Sequence, residues 1–266
     1  MWLRNNLKMS QEELDELRSY KVVKSNDLIQ KSRFQLSSQE QKIILYLISR
    51  IKPDDEDFVQ QNFNIIEFCK ICGMDYNNGK NYKNIKDTIR ALADKSMWLM
   101  LEKGEEILVR WIQKATINKR SGIIRMRLDE DMKPYLLQLQ ERFTQYELIY
   151  TVAMRSQYSI RLYEILKSYE FRRWCKFDVD ELKKMLFADN YKLFTDFKRH
   201  ALDISLREIN DLTDIAITYE IIKVGRKYGQ IEFIIRTKDD MDERINAWNN
   251  RRKAIGLKNR PSARNS

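Results

Sequence analysis

A single histidine, His200, stands in 266 residues, and that scarcity removes whole classes of chemistry. Nicking enzymes that act through paired metal-binding histidines beside a nucleophilic tyrosine cannot be built on one imidazole. The cysteines are few and odd in number. Cys69, Cys72 and Cys175 provide no second Cys or His pair to complete a zinc site around Cys69-Lys70-Ile71-Cys72, so core or edge positions of a short helix are expected for Cys69 and Cys72. Seven glycines and three prolines disfavour Gly-rich phosphate-binding folds and favour helices and hairpins with short turns. No P-loop, triad or carboxylate cluster stands out, so a protein that is not an enzyme and carries no metal or cofactor is expected. The N-terminus, MWLRNNLKMSQEELDELRSY, has no apolar core of signal-peptide type, and no transmembrane run follows. A reducing, cytoplasmic setting is therefore expected.

What is present points elsewhere. Hydrophobic residues make up 43% and aromatics 11%, enough for one large or two small cores. Lys and Arg number 49 against 39 Asp and Glu, a formal charge of +10, which makes a polyanion the natural partner. Nucleic acid fits better than a membrane surface, because no long helix combines a basic face with a strongly apolar one.

Taken in order, residues 1–20 read as a polar arm. Residues 21–35 have a short extended start and then a helical turn. Ser37 and Glu40 form a capping box opening a helix whose apolar stripe is Ile43, Ile44, Leu47, Ile48 and Ile51, ended by Pro53. A strand at 58–63 leads through a second box, Asn64 and Glu67, into a short helix stopped by Gly73, and a turn at 77–79 precedes a helix over 81–96. Residues 97–101, 107–118 and 123–128 read as three antiparallel strands. After a connecting helix around 129–142, the succession returns: a helix at 155–171, a strand end and box at Asp178 and Glu181, a long helix at 190–210, and strands at 214–224 and 231–238 around the basic turn Gly225-Arg226-Lys227-Tyr228-Gly229.

The two long helices align at one offset. Asn81, Tyr82, Lys83, Asp87, Arg90 and Asp94 match Asn190, Tyr191, Lys192, Asp196, Arg199 and Asp203. At about 100° per residue, Phe194, Phe197, Ala201, Ile204, Ser205 and Leu212 turn inward, while Lys192, Asp196, Arg199, His200, Asp203 and Arg207 turn outward. An ordinary solvated face would carry such charges too, and chance similarity of two amphipathic helices is the alternative to related work.

Helix, short helix, longer helix and hairpin is the order of a winged helix, in which the third helix enters a major groove and the hairpin touches the backbone. The expected class is α+β with two tandem winged-helix domains: an arm at 1–20, one unit at 21–140, a second at 141–240 and a basic tail at 241–266. Stacked on one face of a duplex, the units would read successive major grooves, giving a long, non-palindromic site. Arg199 suits a bidentate contact to guanine, and Lys192, near the helix start, a phosphate or guanine. Thr195 and Arg207 belong to the same candidate surface. Asp196 and Asp203 would receive a cytosine amino group or orient Arg199 and Arg207. His200 is a phosphate contact or a bystander. Because that face is nearly balanced in charge, Arg226 and Lys227 in the wing are expected to carry much of the affinity, with Lys83, Lys86 and Arg90 contributing from the first unit. The stretch RRKAIGLKNRPSARNS, with six basic residues, is either a further attraction or a solubilising end.

The runs YKLFTDFKRHALDISLREIN, KSNDLIQKSRFQLSSQEQKIILYLISRI and RSQYSIRLYEILKSY resemble the initiators of iteron-type plasmids, the Rep or RepB initiators, over 21–238. The resemblance implies monomers bound to double-stranded DNA at direct repeats of an origin, recruitment of host replication proteins such as a helicase and an initiator, and a homodimer, in equilibrium with the monomer, that represses its own promoter. It implies main DNA contacts from the second unit, and dimerisation with further contacts from the first. A transcriptional repressor of the same fold is the nearest alternative.

Overall fold

The computed structural model describes residue 16 and residues 20–52, 55–71, 79–118, 120–225 and 227–255, with backbone alone at 80–82, 102 and 227. The expectations placed on the N-terminal arm, Pro53, Cys72, Gly73, Arg226 and the last residues of the tail lie outside the described residues.

Strand β1 (Lys21–Ser25) runs into α1 (Asn26–Lys31), whose cap is Ser25 accepting the Leu28 N–H, and then into the short β2 (Ser32–Arg33). Helix α2 (Ser38–Ile48) opens on the expected capping box: Ser37 Oγ accepts from Glu40 N at 3.3 Å, and Glu40 Oε2 accepts from Ser37 N at 2.6 Å. Its apolar residues are not one stripe. Leu45 and Tyr46 are as buried as Ile43 and Ile44: Tyr46 packs edge-on against Phe63 and Phe68, and Leu45 lines a small void with Phe34, Trp111 and Glu164.

The first winged helix comprises β3 (Gln61–Asn64), α3 (Ile65–Ile71), α4 (Gly79–Ala93) and the hairpin β6 (Ile112–Asn118) and β7 (Ile123–Leu128), with sheet order β6-β7-β3. The expected three strands are four. Trp111, 1% exposed and edge-on to Phe34 at 4.9 Å, breaks the 107–118 run, so β4 (Ser96–Met100) and β5 (Glu106–Arg110) form a separate hairpin on β2. The second capping box is half made: Asn64 Oδ1 accepts from Ile66 N at 2.8 Å, while Glu67 receives the Tyr46 hydroxyl at 3.3 Å.

The expected helix over 129–142 is a 3-10 turn and one turn of α5 (Lys133–Leu136). Pro134 is pre-set for its start, and Gln138 and Arg142, both at φ +51°, prevent continuation. Strand β8 (Phe143–Glu147) then returns to pair antiparallel with β1, Lys21 opposite Glu147 and Ser25 opposite Phe143. After α6 (Leu148–Val152), the central α7 (Gln157–Ser168) is buried on every side.

The second winged helix repeats the first: β9 (Trp174–Asp178), α8 (Val179–Leu186), α9, and the long hairpin β10 (Ile215–Val224) and β11 (Lys227–Thr237), in sheet order β10-β11-β9. Helix α9 is continuous: α-helical over Phe194–Phe197, a π turn over Lys198–Leu202, and α-helical again over Asp203–Leu212. The box expected at Asp178 and Glu181 is absent. Asp178 receives Gln230 at 3.2 Å and Glu181 pairs with Arg33 of the first half.

A buried polar seam ties β1 and β2 to β8 and α7. Glu164 Oε1 accepts from Lys24 Nζ and from the Tyr146 hydroxyl, each at 2.6 Å, and Arg161 donates to the Ser32 carbonyl at 2.9 Å with its guanidinium 4.7 Å from the Phe34 ring. Burial pushes the Arg161 pKa down to about 10 and lowers that of Lys24, in both cases against the opposing pull of Glu164. Around this seam the apolar residues of both halves form one cluster.

Residues 241–254, expected as the start of a tail, are instead helix α10 (Met241–Ala254), with Asp240 as cap and Ala247, Arg251 and Arg252 buried. Together with Lys238 it closes the end of α9. Lys238 Nζ donates to the carbonyls of Asn210 and Thr213, Arg251 to that of Leu212 at 3.0 Å, and Asn250 to that of Asp211 at 3.2 Å. Helix C-termini leave such carbonyls without intrahelical partners, and cations suit them. Cys69 is buried as expected; Cys175 is buried too, and burial raises its thiol to about 12.

Candidate nucleic-acid interface

Helix α9 is positioned by its inward face, and the π turn decides which residues share it. One extra residue in a turn advances every later side chain by about 100°. Phe197 and Ala201 are therefore followed inward by Leu202, Ser205, Leu206, Ile209 and Leu212, while Phe194 and Ile204, expected inside, are half-buried. Arg199, His200, Asp203 and Arg207 remain exposed, with Thr195 in the first turn. Lys192 is exposed but precedes the helix, whose N-cap is Leu193 and whose first turn has no side-chain cap.

The acidic residues differ from expectation. Asp203 accepts from Lys198 Nζ at 2.7 and 2.9 Å and from the Tyr219 hydroxyl of β10 at 3.0 Å, so it engages neither Arg199 nor Arg207. Hydrogen bonding to Asp203 raises the Lys198 pKa, with Tyr219 adding to it. With Lys198 and Asp203 paired to each other, Lys192 ahead of the helix and Arg199 and Arg207 on it are the exposed cations of this face that form no ion pair among the described residues. His200 donates from Nδ1 to the Asp196 carbonyl at 3.0 Å and lies parallel to the Tyr191 ring, 6° from coplanar at 5.8 Å. That bond leaves Nε2 as the atom with hydrogen-bonding capacity to spare.

The wing is fastened to the same helix. Tyr228 stacks on Phe194 with ring centres 4.5 Å apart, and Lys223 lies 5.5 Å from the Tyr228 ring. Strands β10 and β11 approach so closely at the tip that a Cβ on Gly229 would stand 2.5 Å from Val224 Cγ2. Lys227 begins β11, with its side chain outside the described atoms. Lys198, Tyr219, Lys223 and Tyr228 escaped sequence reasoning. Lys223 lies on β10 rather than in the basic turn, and nothing local marks Tyr219 as the partner of Asp203.

In the first unit, Lys83, Lys86 and Arg90 are exposed on α4 at spacings that place them on one face, opposite the buried Ile85, Ile89 and Leu92. The 109-residue echo between the helices does not survive as a structural equivalence. Lys83 lies within α4 whereas Lys192 precedes α9, and buried Ile89 is matched to ion-paired Lys198. The equivalence instead belongs to the strand, the two helices and the hairpin, with β4 and β5 inserted only in the first unit.

Two such units, each carrying an exposed basic helix, define a tandem winged-helix protein. Residues 21–167 match the family model described as initiator replication protein, WH1, and 178–235 match initiator Rep protein, WH2. The chain belongs to this family of replication initiators. Among its relatives, a replication initiation protein of Escherichia coli is 25% identical over 249 residues, covering 89% of this chain and 76% of that protein. A PI protein of Escherichia coli is 25% identical over 155 residues, 51% of each chain. The crystal structure of the Pi initiator protein in complex with iteron DNA shares the fold, with a TM-score of 0.66 at 19% identity, covering 84% of this chain and 99% of that one.

Proposed function

We propose that this protein initiates plasmid replication by binding direct repeats, the iterons, in double-stranded origin DNA. Its residues supply recognition rather than chemistry. The observation that carries this reading is the tandem arrangement: one continuous core joins two winged helices, each with an exposed basic helix, α4 with Lys83, Lys86 and Arg90, and α9 with Lys192, Arg199 and Arg207. Arg199 reads a guanine, Lys192 and Thr195 engage the backbone or a base beside the open start of α9, and the wing residues Lys223, Arg226 and Lys227 hold phosphates. The relative solved on iteron DNA and the family supply the direct-repeat target.

The first unit, residues 21–140, further provides the surface of a homodimer in equilibrium with the monomer, the dimer serving autoregulation. Support comes from the inserted hairpin: β5 is an edge strand, and Trp98 and Leu108, directly opposite each other across β4 and β5, are 46% and 53% exposed. Host replication proteins, a helicase and an initiator, act on the bound complex. Footprinting on the DNA around the gene tests the reading as a whole. Protection of adjacent direct repeats is expected, whereas protection of one inverted repeat at a promoter would favour a repressor.

A further inference from the structure

The second winged helix carries an unused sheet edge, and we infer that it is a docking site for an extended, acidic protein segment with apolar residues at alternate positions. Strand β9 pairs only with β11 among the described residues. Ile235 donates its N–H to the Arg173 carbonyl at 2.8 Å, which fixes the odd-numbered residues as those bonded to β11. By the antiparallel alternation, the backbone groups of Trp174 and Lys176 face outward from the sheet. A groove of about 380 Å³ runs along this edge, from Tyr169 and Arg172 past Trp174 and Lys176 to Asp178. An extended peptide added there would satisfy both sets of backbone groups, which is the basis of strand-addition recognition.

The side chains around the edge specify its chemistry. Phe171 is 73% exposed, and Trp174 and Ile234, opposite each other in the register, are each 52% exposed. Three large apolar side chains left in water, Trp174 and Ile234 on the sheet and Phe171 in the turn just before it, mark an interaction surface. Arg172 and Arg173 are both exposed, and neither forms an ion pair among the described residues. The Arg172 guanidinium lies 5.3 Å from the Phe171 ring, a cation held beside an aromatic anchor. Carboxylates alternating with apolar side chains would meet Arg172 and Arg173 on one side and Trp174 and Ile234 on the other. Aromatic and arginine side chains could also stack nucleotides. The open backbone edge favours a peptide, since a nucleic acid has no amide ladder to pair with it.

This surface lies away from the tip of the proposed DNA-binding wing. Trp174 pairs with Ile234, seven residues from Lys227 at the wing tip, or roughly 23 Å along the strand. Both surfaces can be occupied together, so an acidic partner could be held on an initiator already bound to DNA.

The test uses the full chain and a fluorescently labelled synthetic peptide of alternating glutamate and leucine, read by anisotropy. Saturable binding is expected, weakened about tenfold or more by the R172E/R173E double variant while the footprint on origin DNA persists. A peptide N-methylated at every second amide, unable to pair on one edge, should lose binding to the wild-type chain. Equal binding of the methylated peptide would overturn strand addition. Binding of labelled oligothymidine that depends on Arg172 and Arg173, with no peptide binding, would assign the surface to single-stranded nucleic acid. Self-association of the wild-type chain that R172E/R173E abolishes in sedimentation, again without peptide binding, would assign it to a second copy.

Discussion

Arg199 is exposed on the π turn of α9 and forms no ion pair among the described residues, so its guanidinium is available for a base edge. Replacing Arg199 by alanine should lower affinity for cognate origin DNA by about 1 to 3 kcal/mol and relax discrimination at one base pair. Competition binding against singly substituted sites checks this; an unchanged base preference would remove Arg199 from the readout. Asp203 makes a different prediction, because its partners are Lys198 and Tyr219. An Asp203→Asn change should release Lys198 and tighten binding to unrelated DNA more than to cognate DNA, since a freed cation attracts phosphate without reading sequence. The ratio of the two affinities across a salt series measures it, and a selective loss of cognate binding would show that Asp203 itself meets a base.

At the scale of elements, the wing is fastened to α9 by the stack of Tyr228 on Phe194 and the bond from Tyr219 to Asp203. Removing the tip cations together, Lys223→Ala with Lys227→Ala, should weaken binding to every sequence and flatten the dependence of log affinity on log salt. The same pair of measurements would show a sequence-selective loss if the wing reads bases instead. Gly229 is a packing requirement of the hairpin. A valine there must displace Val224, so Gly229→Val should cost about 1 to 3 kcal/mol in denaturant unfolding, or bend the tip away from Phe194 and quench binding without loss of stability. Stability and binding both left intact would show that the tip adapts freely.

For the whole molecule, the seam around Glu164 anchors β1 and β8 to the central α7. Glu164 is 1% exposed and receives both Lys24 and Tyr146, so replacing it by leucine strands a buried ammonium. Such a loss costs about 3 to 5 kcal/mol, and unfolding of Glu164→Leu by urea should show it. Two separate unfolding steps, with the winged helix over 178–235 unaffected, would show that the two winged helices are energetically independent. The joint core also explains the register of sequence and fold. Strand β1, at the start of the first unit, is completed by β8, which lies 118 residues beyond the end of β1 in chain order: the pairing of Ser25 with Phe143 closes the first unit only after its wing has been made.

Much of this molecule was legible from local pattern. The capping box at Ser37 and Glu40, the succession of helices and hairpins, the second winged helix and the outward placement of Arg199, His200 and Arg207 all follow from side-chain spacing, because each depends on neighbours within a few residues along the chain. Contacts between distant residues were not legible. Trp111 splitting one strand in two, Glu164 drawing Lys24 across the seam, Asp203 turning to Lys198 and Tyr219, and Lys238 and Arg251 closing the end of α9 each depend on where the chain returns in space. Sequence alone determined that this is a basic protein of two winged helices with a readable helix in each. Tertiary structure decided which charges that helix has free to offer, because burial and pairing are properties of the assembled core.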